Sequence, residues 1–100
     1  MNIHLLTIAQ IELDEAVDYY NAESPGLGDK FLLDILKTID RVRSFPDAWY
    51  PFTENTRRCQ LSRFPYGLIY HILETGILIV AVAHLHRKPD YWKERVSTLT

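Results

Sequence analysis

RRCQLSRFPYGLIYHILETGILIVAVAHLH, residues 57–86, is the stretch on which the fold turns. Its apolar residues are β-branched or aromatic and repeat with a period of about two, where a helix would repeat every ~3.6 residues. Breaks at Pro65-Tyr66 and at Glu74-Thr75-Gly76 divide it into three predicted strands, 57–64, 66–73 and 77–86. Connections this short predict an antiparallel meander. Strict alternation along the third strand puts Leu78, Val80, Val82, His84 and His86 on one face, and Ile77, Ile79, Ala81, Ala83 and Leu85 on the other. On the first strand it puts Arg57 and Arg63 on one face and Arg58 on the opposite one.

Upstream the period changes. NIHLLTI reads as a short opening strand, and Thr7 with Gln10 three residues on has the form of a capping box that starts a helix. Leu13, Ala16, Val17 and Tyr20 then share one helical face, with Glu12, Asp14, Glu15 and Asp18 as a solvated acidic exterior. Ser24 is the predicted N-cap of a second helix with Pro25 at its first position. Phe31, Leu32, Ile35, Leu36, Ile39 and Val42 form its apolar stripe until the prolines of FPDAWYP end it. Two helices joined so tightly predict an antiparallel hairpin. Downstream, KPDYWKERV can begin a terminal helix at Pro89.

The predicted fold is therefore α+β: an N-terminal strand, an antiparallel helix hairpin packed on a roughly four-stranded, mainly antiparallel sheet, and a short C-terminal helical segment. One hundred residues, 47% of them apolar, suit a single domain over 1–100. The apolar runs are too short and interrupted to cross a bilayer, and the first residues have no secretory leader pattern, so a cytoplasmic protein with no membrane partner is expected. The lone Cys59 cannot form an intrachain disulfide, which agrees with a reducing compartment. Residues 1–50 carry nine acids and four bases, residues 51–100 seven bases and four acids, so an acidic partner or polyanion should meet the second half.

The candidate chemistry lies where the last strand runs into HLHRKPDYW, residues 84–92. A His-x-His pair can ligate a metal, but a site wants a third protein ligand, and strand-end packing accounts for both histidines more simply; no metal or other cofactor is expected. Arg57, Arg58, Arg63, Arg87, Lys88, Lys93 and Arg95 form a prospective cationic margin, with Tyr66, Tyr91 and Trp92 as stacking surfaces or, for the last two, a latch. SPGLG lacks the spacing and lysine of a phosphate loop, and no serine sits in a nucleophile elbow.

Taken in order, ELDEAVDYYNAESPGLGDKFLLDILKTIDRVRSFPDAW and RRCQLSRFPYGLIYHILETGILIVAVAHLHRKPDYWKER resemble the helix hairpin and the sheet with its tail of RelE/ParE superfamily toxins of type II toxin–antitoxin systems, the plasmid stabilisation proteins. FPYGLIY and the strand ending in HLHRKPDYW carry most of the resemblance. It implies a cognate antitoxin as partner, in a toxin–antitoxin hetero-oligomer, and one of two targets: DNA gyrase, which ParE-like members bind and poison, or the ribosome with its messenger RNA, which RelE-like members cleave without a metal.

The residues divide unevenly between these targets. RNA-cleaving members carry a run similar to Tyr-Arg-Leu-Val-Tyr whose arginine contacts phosphate, and here it reads Tyr66-Gly67-Leu68-Ile69-Tyr70. Of two basic positions one strand earlier, Arg58 is kept and the other is Gln60. A nuclease would then rely on Arg58, Arg63, His84, His86, Arg87 and Tyr91, whereas a gyrase-binding protein would use Arg57, Arg58, Arg87, Lys88, Tyr91 and Trp92. Loss of one phosphate donor costs about 100-fold or more in rate, which favours the ParE-like reading over a ribosome-dependent endoribonuclease or an inactive binding protein.

Overall fold

The apolar run 77–83 lies in the second strand of a five-stranded sheet. A computed structural model describes residues 2–53, 55–87 and 90–97. In chain order the elements are β1 (Asn2–Leu5), α1 (Thr7–Glu23), α2 (Leu27–Ser44), β2 (Pro51–Thr53), β3 (Thr56–Gln60), β4 (Tyr66–Leu73), β5 (Gly76–His84) and α3 (Asp90–Ser97). The sheet order is β1-β5-β4-β3-β2. β3, β4 and β5 form the expected meander, and β1 joins β5 in parallel, Asn2 opposite Gly76 and Leu5 opposite Ile79. The short β2, antiparallel to β3, is an addition to the four expected strands. Among the described residues, no helix is long and apolar enough to cross a membrane.

The helix hairpin covers one face through Ala9, Leu13, Ala16, Phe31, Ile35 and Val42, which bury against Cys59, Leu68, Tyr70, Ile77, Ile79 and Val82. On α2 the buried stripe runs Phe31, Ile35, Thr38, Val42; Leu32 and Leu36, expected within it, stand outside, 37% and 51% exposed. Both helix starts also differ from expectation. Leu6, not Thr7, is the N-cap of α1, and its carbonyl accepts from the Gln10 amide while the Gln10 side chain donates to Asp14. Ser24 instead closes α1 by donating its backbone N–H to Tyr20, and Gly26, at φ 87°, caps α2. A left-handed residue turns the chain there within three residues, which a side-chain cap at Ser24 could not do. Gly28 then allows the helices to touch: a Cβ there would lie 2.2 Å from the Val17 carbonyl oxygen, and its N–H donates to Asn21 Oδ1 at 2.8 Å.

The opposite face belongs to α3. Trp92 and Val96, four residues apart, bury against Ile69, Val80, Ala81 and Ala83. That both Val80 and Ala81 face α3 departs from strict alternation, and the register explains it. Ile69 pairs with Ala81 but Tyr70 pairs with Ile79, so Val80 is the extra residue of a β-bulge. Val82 and His84 beyond the bulge consequently share the hairpin face with Ile77 and Ile79, not with Val80.

The bulge sits where β5 outruns β1. Leu6 N–H still donates to the Ile79 carbonyl, and then the edge is taken over by two side chains. Glu12 Oε1 accepts from Val82 N–H at 3.2 Å, Arg95 donates to the Val80 carbonyl at 3.0 Å, and the two pair at 2.8 and 3.3 Å. Glu12, read from sequence as part of a solvated acidic face, is thus only 15% exposed. α1 on one face and α3 on the other are tied together around the sheet edge.

β3 ends earlier than expected, at Gln60; Leu61 N–H still donates to the Tyr66 carbonyl at 2.9 Å, and the chain then turns away through Ser62 and Arg63. Asp34, 5% exposed on α2, accepts from the N–H groups of Ser62 and Arg63 at 3.3 and 2.9 Å. Cys59 is fully buried on β3, and burial pushes its thiol up to about 11, against a weaker opposing pull from Arg41. The native protein should therefore resist iodoacetamide at mildly alkaline pH and label only when unfolded in urea, since the thiolate is the reactive form. Fast labelling of the native chain would show β3 to be open.

Candidate functional site

The candidate margin is built where β4, β5 and β3 meet α3. Gly67 on β4 faces the α3 side opposite Ala83. A Cβ at Gly67 would lie 3.1 Å from Arg58 Cγ and 3.4 Å from a Leu85 methyl, so the absence of a side chain at 67 is what lets the Arg58 stem lie flat over the sheet. The Arg58 guanidinium then rests 4.3 Å from the Phe52 ring centroid, and Phe52 stacks on Trp92 at 5.8 Å. Arg87 caps the other side of α3, its guanidinium 3.8 Å above Tyr91. Between them Phe52, Arg58, Ala83, His84, Arg87 and Trp92 surround a space of only about 10 Å³, room for about one water molecule.

Trp92 was a candidate target contact, but at 1% exposure it serves as the latch that holds α3. Tyr91 is half-buried below Arg87. Burial raises its phenol above the ordinary value, Glu12 adds to the rise, and Arg87 and Arg95 oppose it. At neutral pH it is a neutral hydroxyl, able to donate but not to act as a phenolate base.

His84 and His86 lie together as expected, ring centroids 5.3 Å apart, though the strand ends at His84 and a turn brings them close. His86 N–H donates to His84 Nδ1 at 3.2 Å, which leaves the proton of a neutral His84 ring on Nε2. Because of the bulge His84 packs edge-on to Tyr66 at 5.1 Å. It borders a cleft of about 280 Å³ shared with Glu12, Glu15, Tyr19, Tyr66 and Tyr91. Burial is the main cause of a raised Tyr66 phenol there, with Tyr19 and Glu12 adding to it. No three His, Cys, Asp or Glu side chains converge on one point among the described residues.

The expected cationic margin is split. Arg57 turns to the hairpin side, where it pairs with Asp47 at 3.7 Å and donates to the Trp49 carbonyl. Arg63, placed by alternation beside Arg57, sits instead in the loop after β3, over Lys30, Leu33 and Lys37 of α2. Arg95 is committed to Glu12. Lys88 and the Pro89 helix start lie outside the described residues. Of the expected margin, Arg58 and Arg87 are the described cations that border one space beside Trp92. Sequence reasoning missed Phe52, which joins them to Trp92; FPDAWYP served only as a helix stop, and the signal available was its density of aromatic residues.

A chain with this sheet order, hairpin and basic strand end can be compared with known proteins. The model of the family described as ParE toxin of type II toxin-antitoxin system, parDE, matches residues 3–89. The chain belongs to the ParE toxin family. Among solved structures, one titled as the chromosomal ParDE TA system from P. aeruginosa is similar with a TM-score of 0.76 and 18% sequence identity, covering 86% of this chain and 97% of that one. At that identity the likeness is one of fold. No curated protein matches. The ParE toxin match takes in Arg58, Gly67, His84 and Arg87 and stops before α3, so Tyr91, Trp92 and Arg95 lie beyond it.

Proposed function

We propose that this ParE-family toxin arrests growth by binding DNA gyrase through the margin formed by Arg58, Arg87 and Tyr91, not by cutting RNA. The observation that carries the reading is the packing at Gly67. Nuclease members of the wider superfamily resemble one another in an arginine at that position, and here the space is taken by the stem of Arg58, whose guanidinium is stacked on Phe52. Arg63 is in a different part of the surface, away from Arg58 and Arg87. A cationic edge with packed aromatic residues beneath it suits a protein partner, where arginine and aromatic anchors dominate affinity.

The antitoxin expected of such a toxin would be an acidic, amphipathic segment that folds on binding. Leu32, Leu33 and Leu36 stand exposed on α2, and Lys30, Lys37 and Arg63 flank Leu33, which supports a partner of that chemistry.

The test pairs two assays of the purified, antitoxin-free protein: gyrase supercoiling with plasmid cleavage, and cleavage of messenger RNA on translating ribosomes. Gyrase inhibition without RNA cuts is expected. Arg58→Ala combined with Arg87→Ala should weaken that inhibition about tenfold or more while antitoxin binding persists. Ribosome-dependent cuts would overturn the proposal and direct the search for an acid and base to His84, His86 and the arginines.

A further inference from the structure

The segment between α2 and β3 holds an aromatic cluster in which Trp49 packs in part against the core and Phe52 on Trp92, while Tyr50 and Phe45 stand outward. Tyr50 is 90% exposed and Phe45 66%. A tyrosine so exposed has no packing role to explain it. Beside it runs an open groove of about 420 Å³ lined by Trp49, Tyr50, Pro51, Phe52, Arg58 and Gln60. Trp49, Tyr50, Phe52, Arg58 and Gln60 give this groove an aromatic, cationic and amide lining, and no carboxylate is among its described lining residues. Arg41 brings further positive charge to the Gln60 end by donating to the Gln60 carbonyl at 3.3 Å, while Asp47 is paired with Arg57.

We infer that this groove binds single-stranded nucleic acid. Tyr50 and Trp49 offer ring faces to unpaired bases, Arg58 and Arg41 meet the phosphates, and the Gln60 amide can hydrogen-bond a base edge. Stacking on aromatic rings beside a cationic track is how sequence-tolerant single-strand binding is achieved, and it needs bases freed from a duplex. A proline-rich peptide would use the rings but not the cations, and an acidic peptide the cations but not the flat faces. The combination of flat ring faces and cations fits a polyanion that carries planar groups. The inference stands apart from the choice of gyrase as target, because it concerns a groove formed by the β2 segment and shares with the margin Phe52 and Arg58 but not Arg87 or Tyr91.

Binding is measured directly, without gyrase or ribosomes, by fluorescence anisotropy of a labelled oligothymidylate. An abasic strand of the same length and a duplex serve as comparisons. The single strand should bind with quenching of Trp49 emission, the buried Trp92 being shielded. The abasic strand and the duplex should each bind at least about tenfold more weakly, and Tyr50→Ala should cost about tenfold while Tyr50→Phe keeps most of the affinity. Loss of fold is not a concern at a position this exposed. Equal affinity for the abasic strand, an unchanged Tyr50→Ala, or no binding at low salt would each overturn the inference. Displacement of nothing but a proline-rich peptide would mark the groove as a peptide site and overturn it too.

Discussion

Trp92→Ala should release α3 from the sheet, at a cost of about 3–5 kcal/mol of docking free energy. α3 spans eight residues, Asp90–Ser97, too short to persist as an isolated helix in water. Its hold on the sheet comes from Trp92 and Val96, 1% and 5% exposed, against Ile69, Val80, Ala81 and Ala83. Ala81 and Ala83, small side chains, are part of the cluster in which the indole is buried. The variant should lose amide-exchange protection in α3 and shift its urea midpoint downward, with β4 and β5 still protected. Trp92→Phe, which restores a ring against Phe52, should recover part of the loss. The functional consequence follows from Arg87, whose guanidinium is held over Tyr91 of α3. Once α3 is free, Arg87 loses its platform, and under the proposed function target affinity should fall although Arg87 itself is unaltered. Unchanged exchange protection in α3 would show that the latch lies elsewhere.

The period-two pattern of residues 57–86 and the helical stripe of α1 were sufficient for the α+β architecture, because each amphipathic element has one buried face and the pattern records it. The failures share a cause. From Ile77 to Ala83 every residue is apolar, so a bulge that shifts the phase at Val80 leaves no polar residue to betray it, and the face of His84 could not be assigned. β2 is three residues long and begins with proline, below the length at which alternation can be recognised. Arg63 was misplaced because the end of β3 is set by Asp34, a carboxylate on α2 that accepts from the loop 29 residues away in sequence. At the site, Arg58 and Arg87 were legible as cations near the end of β5. The stack of Phe52 on Trp92 beside them was not, since Phe52 lies in the three-residue β2.

Breaking the Glu12–Arg95 pair should reach the same assembly from the other side of the sheet. The two side chains are 83 positions apart and 15% and 16% exposed, with a bidentate contact and further bonds to Val82 N–H and the Val80 carbonyl. Removal of one partner leaves a half-buried charge and an uncovered strand edge, so Glu12→Ala and Arg95→Ala should each lower stability by about 2–4 kcal/mol, short of the cost of a fully buried pair because some solvent reaches both groups. The double variant should cost less than the two losses together, with a coupling of about 1–3 kcal/mol in a double-mutant cycle from urea unfolding. Glu12→Gln keeps an acceptor for Val82 and should fall between the wild type and Glu12→Ala. Strict additivity would mean that each residue serves the β5 edge independently. Strong coupling would mean that α1 and α3 are clamped around the bulge as one unit, fixing the end of β5 on which His84 and Arg87 are presented.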